Sequence, residues 1–390
     1  MNIALFTDTF PPEINGVATS TYNLMEILRK NGHRCLVVTT NPFSNTITFE
    51  DDVLRIPGLE LKKLYGYRLA KFYSSKAMRM IRQTKPDLIH VQTDASIGIF
   101  GRLAANQLKI PMILTYHTMV EDYTYYVTKG NKTFDRFAKS VVRAYCKIRA
   151  DQATEFISPS VKTKEIVRNY GFQSYINVVP TGIDFAKYRQ PVEQKKKEEV
   201  IEKYGLQDSF VVLSLGRIAK EKSIDVTIRA FGKLKERADF PVKMLIVGGG
   251  PDMKELQDLV QSLSLQKDVL FVGAVPTEET PLYYQVGNIF VSASVTETQG
   301  LTYVEAMAAG IPVFARYDEN LSEVIINGET GFYFEDEEDF AQKVIRYYHL
   351  EKSKKEFLKS SADKVAQRFS MEMFYKEMME VYLRALRKYW

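Results

Sequence analysis

Short apolar runs rich in Val, Ile and Leu alternate with stretches of helical periodicity along the whole chain, and the series starts twice. The first series reads "IALFT", "CLVVTT", "DLIHV", "PMILTYH" and "EFISPS"; the second reads "FVVLSLG", "VKMLIVG", "VLFVG", "IFVSAS" and "IPVFA". Between them apolar residues recur every three or four positions, first in a helix expected around 19–31 and stopped by Gly32. Strands this apolar are buried on both faces, and strands separated by helices run parallel. The pattern predicts an α/β fold of two Rossmann-like domains, 1–180 and 181–370. The break falls near "PTGID" (180–184), just ahead of the Lys-rich "QKKKEEV". Open sheets of this kind take ligands at the carboxyl ends of their strands, so residues that directly follow strands carry the functional information.

A length of 390 residues gives each domain enough chain for its own core. No run is long and apolar enough to cross a bilayer, and "MNIALFTDTF" lacks the basic flank of a signal peptide. Two cysteines, Cys35 and Cys146, have no metal-ligand spacing, which predicts a reducing cytoplasm and no disulfide framework. The net charge of +5 conceals a division. Residues 1–185 hold 24 Lys/Arg against 16 Asp/Glu, and the remaining 205 hold 29 against 32. An anionic partner is therefore expected for the first half alone.

Three strand-to-helix junctions carry candidate chemistry. In "FPPEINGVATST", Gly16 precedes a helix whose first turn is expected to hold Thr19 and Ser20, a place where backbone amides meet a phosphate. The spacing is not G-x-G-x-x-G, so an ordinary dinucleotide site is not expected, and a plain turn remains the alternative. In "SLGRIAKEKSID", Arg217 and Lys222 lie close to a strand end, where two cations clamp a diphosphate unless they are merely solvated. "VGGGPD" (247–252) reads as a structural turn. The third junction is "SVTETQGLTYVEAMAAG". Glu297 lies on the loop, Gly300, Leu301 and Thr302 offer helix-start amides to a phosphate, and Glu305 can accept hydrogen bonds from the vicinal hydroxyls of a ribose. That order fits a nucleotide sugar laid across a helix N-terminus.

Glu297 and Glu305, with seven residues between them and "TQGLTYVEAMAAG" around them, resemble the signature of retaining glycosyltransferase family 4. "NGV", "PDLIH", "ISPS", "VPTGID", "GRIAKEK" and "GGGP" follow in the family's order, so the resemblance covers nearly the whole chain. It implies a GT-B fold, two Rossmann-like domains facing across a cleft, with the C-terminal helix (371–390) returning to the N-terminal domain. It also implies roles. Glu297 holds donor-sugar hydroxyls and Glu305 the ribose. Arg217 and Lys222 neutralise the departing diphosphate, Gly16 opens a loop that meets it, and His117 faces the reacting sugar. Residues just after Gly273 contact the base. No cofactor and no metal are implied beyond the donor substrate. A finer resemblance, at "TYHTMVEDYTYYV" and "FTDTFPPEINGVATS", is to bacterial diacylglycerol glucosyltransferases that use UDP-glucose. Glu121 and Asp122 then either position an acceptor hydroxyl or cap a turn. His117 and Glu121 as metal ligands lack a third partner.

The basic half supports a lipid-facing role independently. Between Leu61 and Pro86 there are eight Lys/Arg and no acidic residue. Further on, Lys132, Arg136, Lys139, Arg143 and Lys147 fall at helical spacing, with Phe134, Phe137, Val141, Val142 and Tyr145 on a second face. Such a helix suits anionic headgroups; a core helix with a solvated cationic face is the competing interpretation. The expectation is an enzyme peripheral to the inner face of the cell membrane, with nucleotide sugar and lipid as partners and no nucleic acid, since no recognition module is present. Two alternatives stand beside it: a soluble family member acting on a glycan, with a donor such as GDP-mannose, and a non-catalytic nucleotide-sugar-binding protein.

Overall fold

The computed structural model describes all residues except 14, 62–66 and 118–131, and the backbone alone of 61, 67, 132–139 and 320. The chain divides into two compact units, Met1–Gly182 with Met371–Trp390, and Ile183–Ser370. The break lies two residues beyond the expected position. Thr181 shares a hydrogen bond with Ser20 (2.8 Å), and the Gly182 carbonyl accepts from Asn23 Nδ2 (2.8 Å). Both residues are thereby tied to the first helix, Gly16–Lys30.

The first unit is built on β1 (Asn2–Phe6), β2 (Arg34–Asn41), β3 (Thr48–Glu50), β4 (Val53–Leu61), β5 (Tyr67–Ala70), β6 (Leu88–Val91), β7 (Met112–Thr115), β8 (Glu155–Ser158) and β9 (Ile176–Val178). The sheet order is β3-β4-β2-β1-β6-β7-β8-β9, with β5 paired to β4. Only β3 and β5 run antiparallel, both against β4 at the edge. Side chains alternate across the sheet as strand geometry requires. Ile3 and Leu5 enter one core layer, and Ala4 and Phe6 enter the other. The helix Ser96–Leu108 comes so close to β1 that a Cβ on Gly101 would lie 2.8 Å from the Phe6 ring.

The last helix, Met371–Tyr389, belongs to this unit, as the family resemblance implied. Its buried row, Phe374, Met378, Tyr382 and Ala385, has helical spacing and joins Leu24, Leu28 and Leu5 in one layer. Two polar anchors hold it. The Tyr382 hydroxyl meets His90 Nδ1 at 2.7 Å, and the buried Glu155 carboxylate accepts from Arg384 Nε (3.0 Å) and Lys388 Nζ (2.8 Å).

The second unit has a six-stranded, wholly parallel sheet: β10 (Phe210–Leu215), β11 (Val242–Val247), β12 (Val269–Gly273), β13 (Ile289–Ser292), β14 (Val313–Arg316) and β15 (Gly331–Phe334). Its order, β12-β11-β10-β13-β14-β15, is that of a doubly wound Rossmann fold. Core layers lie on both faces, so β11 sends Met244 and Ile246 to one and Leu245 and Val247 to the other. No helix among the described residues is long and apolar enough to cross a membrane.

Candidate active site

β10 and β13 are adjacent in the second sheet, with Val212 opposite Ile289. Strand order reverses between them, and at such a switch point the loops beyond the strand ends part to form a crevice. The loop after β10 contains Gly216, Arg217 and a single 3-10 turn, Lys220–Lys222. The loop after β13 contains Glu297 and runs into the helix Leu301–Ala308. These loops are joined by bonds between residues far apart in sequence. Lys222 Nζ donates to Glu297 Oε1 at 2.6 Å. Thr296 Oγ1 donates to the Glu221 carbonyl at 3.1 Å, and the Arg217 guanidinium pairs with the Glu221 carboxylate. Arg217, Lys222 and Glu297, singled out separately in the sequence, thus come together within one unit.

Burial pushes the Glu297 carboxyl up. The Lys222 ammonium, hydrogen bonds from Lys222 and Ser294, and the Arg217 charge outweigh it and hold Glu297 below its ordinary value. Glu305 is balanced the other way. Burial dominates and raises it, although the hydroxyls of Tyr284 and Tyr188 and the charge of Lys187 pull it down. Tyr284 donates to Glu305 Oε2 at 2.8 Å. Two carboxylates eight positions apart therefore sit in different surroundings, one ion-paired and the other held by the Tyr284 phenol.

Gly300 makes the helix start between them possible. Its φ of +77° is left-handed, and a Cβ there would lie 2.5 Å from Leu321 Cδ2. Gly300, as the N-cap residue, has no side chain to compete for the first-turn amides of Leu301 and Thr302. The "VGGGPD" turn is structural, as read from the sequence. A Cβ on Gly248 would lie 1.8 Å from the Gly216 carbonyl oxygen, and one on Gly250 would lie 1.9 Å from that of Ile218. The glycines let this turn support the Arg217 loop. Gly273, also at positive φ, ends β12, and its carbonyl accepts from Gly248 N at 2.8 Å.

In the first unit His117 follows β7, and its Nε2 donates to Gln92 Oε1 at 2.7 Å. With Nε2 carrying the hydrogen, Nδ1 is left as an acceptor. Burial pushes His117 down to about 4, so it is neutral at physiological pH. His90, enclosed between Tyr382 and Thr115, is also held well below its ordinary value, by burial and then by His117. Both are neutral when folded, whereas the unfolded chain binds their protons near 6.5. Stability therefore falls as pH drops from about 6.5 towards about 4, His117 contributing up to about 3 kcal/mol. Urea unfolding at pH 7 and pH 5 should show the loss, and His117→Asn should reduce it.

Gly16 needs a correction. The helix begins at Gly16, not near residue 19, and Asn15 caps it, with Oδ1 accepting from Val17 N (3.1 Å) and Ala18 N (2.9 Å). The amides expected to meet a phosphate already have an acceptor. Thr19 and Ser20 lie beyond the opening amides, and Ser20 faces Thr181. An Asn directly before Gly16 was the readable signal, because Asn is a strong N-cap residue. Glu121 and Asp122 lie outside the described residues, and no group of three metal-ligating side chains occurs among the described residues.

Of the basic stripe, Lys132, Arg136 and Lys139 have a described backbone only, within the helix Lys132–Asp151. Over 140–150 this helix packs through Val142, Cys146 and Ala150, while Arg143 and Lys147 are exposed. Val141, Tyr145 and Ile148 form a separate exposed apolar row (52%, 36% and 57%). Of the apolar face read from the sequence, Val142 is half-buried as a core helix requires, Val141 and Tyr145 are exposed, and the side chains of Phe134 and Phe137 lie outside the described residues.

Two family models match the chain, Glycosyltransferase Family 4 over residues 14–187 and Glycosyl transferases group 1 over 196–364. The alpha-monoglucosyldiacylglycerol synthase of Streptococcus pneumoniae is 36% identical over 348 residues, covering 88% of this chain and 78% of that protein. The same-named protein of Acholeplasma laidlawii is 34% identical, covering 88% and 87%. Among solved structures, Anabaena Alr3699/HepE in complex with UDP and glucose superposes with a TM-score of 0.76 at 19% identity, over 97% of this chain and 98% of that one. The fold class is GT-B.

Proposed function

The chain belongs to the family 4 glycosyltransferases, and on that premise we propose that it transfers glucose from UDP-glucose to the free hydroxyl of diacylglycerol, forming an α-glycolipid. The observation that carries the donor half is the Lys222–Glu297 pair, which spans the two loops of the switch point beside the helix start at Gly300. The acceptor half is supported by two relatives whose names specify monoglucosyldiacylglycerol synthesis, and by the exposed apolar row Val141, Tyr145 and Ile148.

The reaction breaks the bond between the anomeric carbon and the diphosphate oxygen. Negative charge grows on the diphosphate, and Arg217, Lys222 and the amides of Leu301 and Thr302 are assigned to it. Glu297 is assigned to sugar hydroxyls and Glu305 to the ribose. His117, neutral and with Nδ1 as an acceptor, suits a hydroxyl rather than proton donation. Retention follows if the acceptor hydroxyl attacks from the leaving-group face and a diphosphate oxygen takes its proton. Glu121 and Asp122 remain the acceptor-side candidates. On this reading neither a metal nor a cofactor is needed, and the enzyme works peripherally at the cytoplasmic membrane face.

One incubation tests the proposal: purified protein, diacylglycerol in anionic vesicles, UDP-glucose and a chelator, with products read by mass and anomeric proton coupling. A monohexosyl lipid with α coupling is expected. Consumption of GDP-mannose instead, or transfer to a glycan with no lipid product, would replace both substrates while leaving the family assignment intact.

A further inference from the structure

We infer that Tyr188 and Tyr284 are positioning residues for Glu305, fixing its carboxylate so that the lone pairs they leave open face a ribose diol; the inference rests on the ribose role proposed above. Three separate elements converge here. Tyr188 comes from the short helix Phe185–Arg189, Tyr284 from Thr280–Val286, and Glu305 from Leu301–Ala308. Tyr284 is fully buried, and its hydroxyl lies 2.8 Å from Glu305 Oε2 and 3.2 Å from the Thr302 carbonyl. A phenol has one hydrogen to give, and the shorter, charge-assisted bond takes it. Tyr188, 3% exposed, backs this contact, its ring meeting that of Tyr284 edge-on at 5.7 Å. Tyr284 packs in turn on Phe290 of β13 at 6.0 Å.

An ionised carboxylate offers about four lone-pair sites. The Tyr284 phenol uses one of them, from a ring packed against Tyr188 on one side and against Phe290 of a core strand on the other. A carboxylate on a three-bond side chain would otherwise sample several rotamers, and ordering it on ligand arrival would cost affinity. Here that ordering is complete before a nucleotide arrives. Burial makes the charge costly, since it raises Glu305 in spite of both hydroxyls and the nearby Lys187. Core packing alone does not account for a carboxylate in that position, because an apolar side chain would fill the space without the desolvation penalty.

The test is calorimetric binding of UDP and of 2′,3′-dideoxy-UDP to the full chain. Wild type should prefer UDP by about a hundredfold, the effect of hydrogen bonds from two hydroxyls to a charged acceptor. In Tyr284→Phe that preference should fall about tenfold, with dideoxy-UDP affinity unchanged within about twofold. Tyr188→Leu, which removes the ring packed against Tyr284 without touching the Tyr284 hydroxyl, is the parallel variant should Tyr284→Phe fail to fold. Equal weakening of both ligands would mark the tyrosines as general scaffold and overturn the inference, as would an unchanged ratio. Glu305→Gln separates the premise from the inference. If it keeps the wild-type ratio, Glu305 does not hold the ribose and the earlier assignment fails first.

Discussion

Lys222→Ala is expected to lower kcat by a hundredfold or more while changing the KM for the nucleotide sugar much less. Removing one preorganised donor aimed at developing negative charge costs about 3–4 kcal/mol in comparable sites, which is two to three orders of magnitude in rate. Two further consequences follow from the 2.6 Å bond to Glu297. The Glu297 carboxylate loses its nearest counter-charge while still buried, so burial takes control and its pKa rises from its present depressed position. The acid limb of the pH–rate profile should therefore move to higher pH in the variant. Steady-state kinetics between pH 5 and 9 measures both effects. Turnover within about threefold of wild type would remove Lys222 from the charge-stabilising set.

Replacing Lys139, Arg143 and Lys147 together by Glu should release the protein from anionic vesicles. Each basic residue near such a surface contributes about 1 kcal/mol. Reversing three signs removes three attractions and adds three repulsions, which amounts to roughly a thousandfold or more in partitioning. The exposed row Val141, Tyr145 and Ile148 is untouched, so residual binding should be insensitive to salt. Co-sedimentation at two ionic strengths separates the parts. Unchanged co-sedimentation at low salt would mean the stripe faces water only.

The two-sheet plan and the Glu297–Glu305 segment were legible because both are local. Strand, loop and helix follow within about twenty residues, and each has its own periodicity or breaker. The Lys222–Glu297 bond was not legible as a bond, because it joins residues 75 positions apart. Their proximity depends on β13 lying beside β10, which strand patterns do not reveal. Tyr188 and Tyr284 were hidden for the same reason, since an apolar-looking Tyr in a helix reads as core until its hydroxyl is given a partner. The edge hairpin of β4 and β5 was masked by its charge, because cations interleaved with aromatics read as a surface stripe. The exposure of Val141, Tyr145 and Ile148 was undecidable from spacing, because a helix facing a membrane and one facing a core carry the same stripe.

The return of the last helix to the first unit sets the order in which the molecule is completed during synthesis. Residues 183–370 are contiguous and can close their own core as soon as they emerge from the ribosome. The first unit emerges earlier but cannot be finished then, because Phe374, Met378 and Tyr382 are translated after the second unit. Until they arrive, His90 and Glu155 lack their partners from that helix and Leu24 and Leu28 lack their cover. The half made first is therefore the half that matures last. A chain truncated after Ser370 should hold a native second unit beside a first unit that proteases still cut.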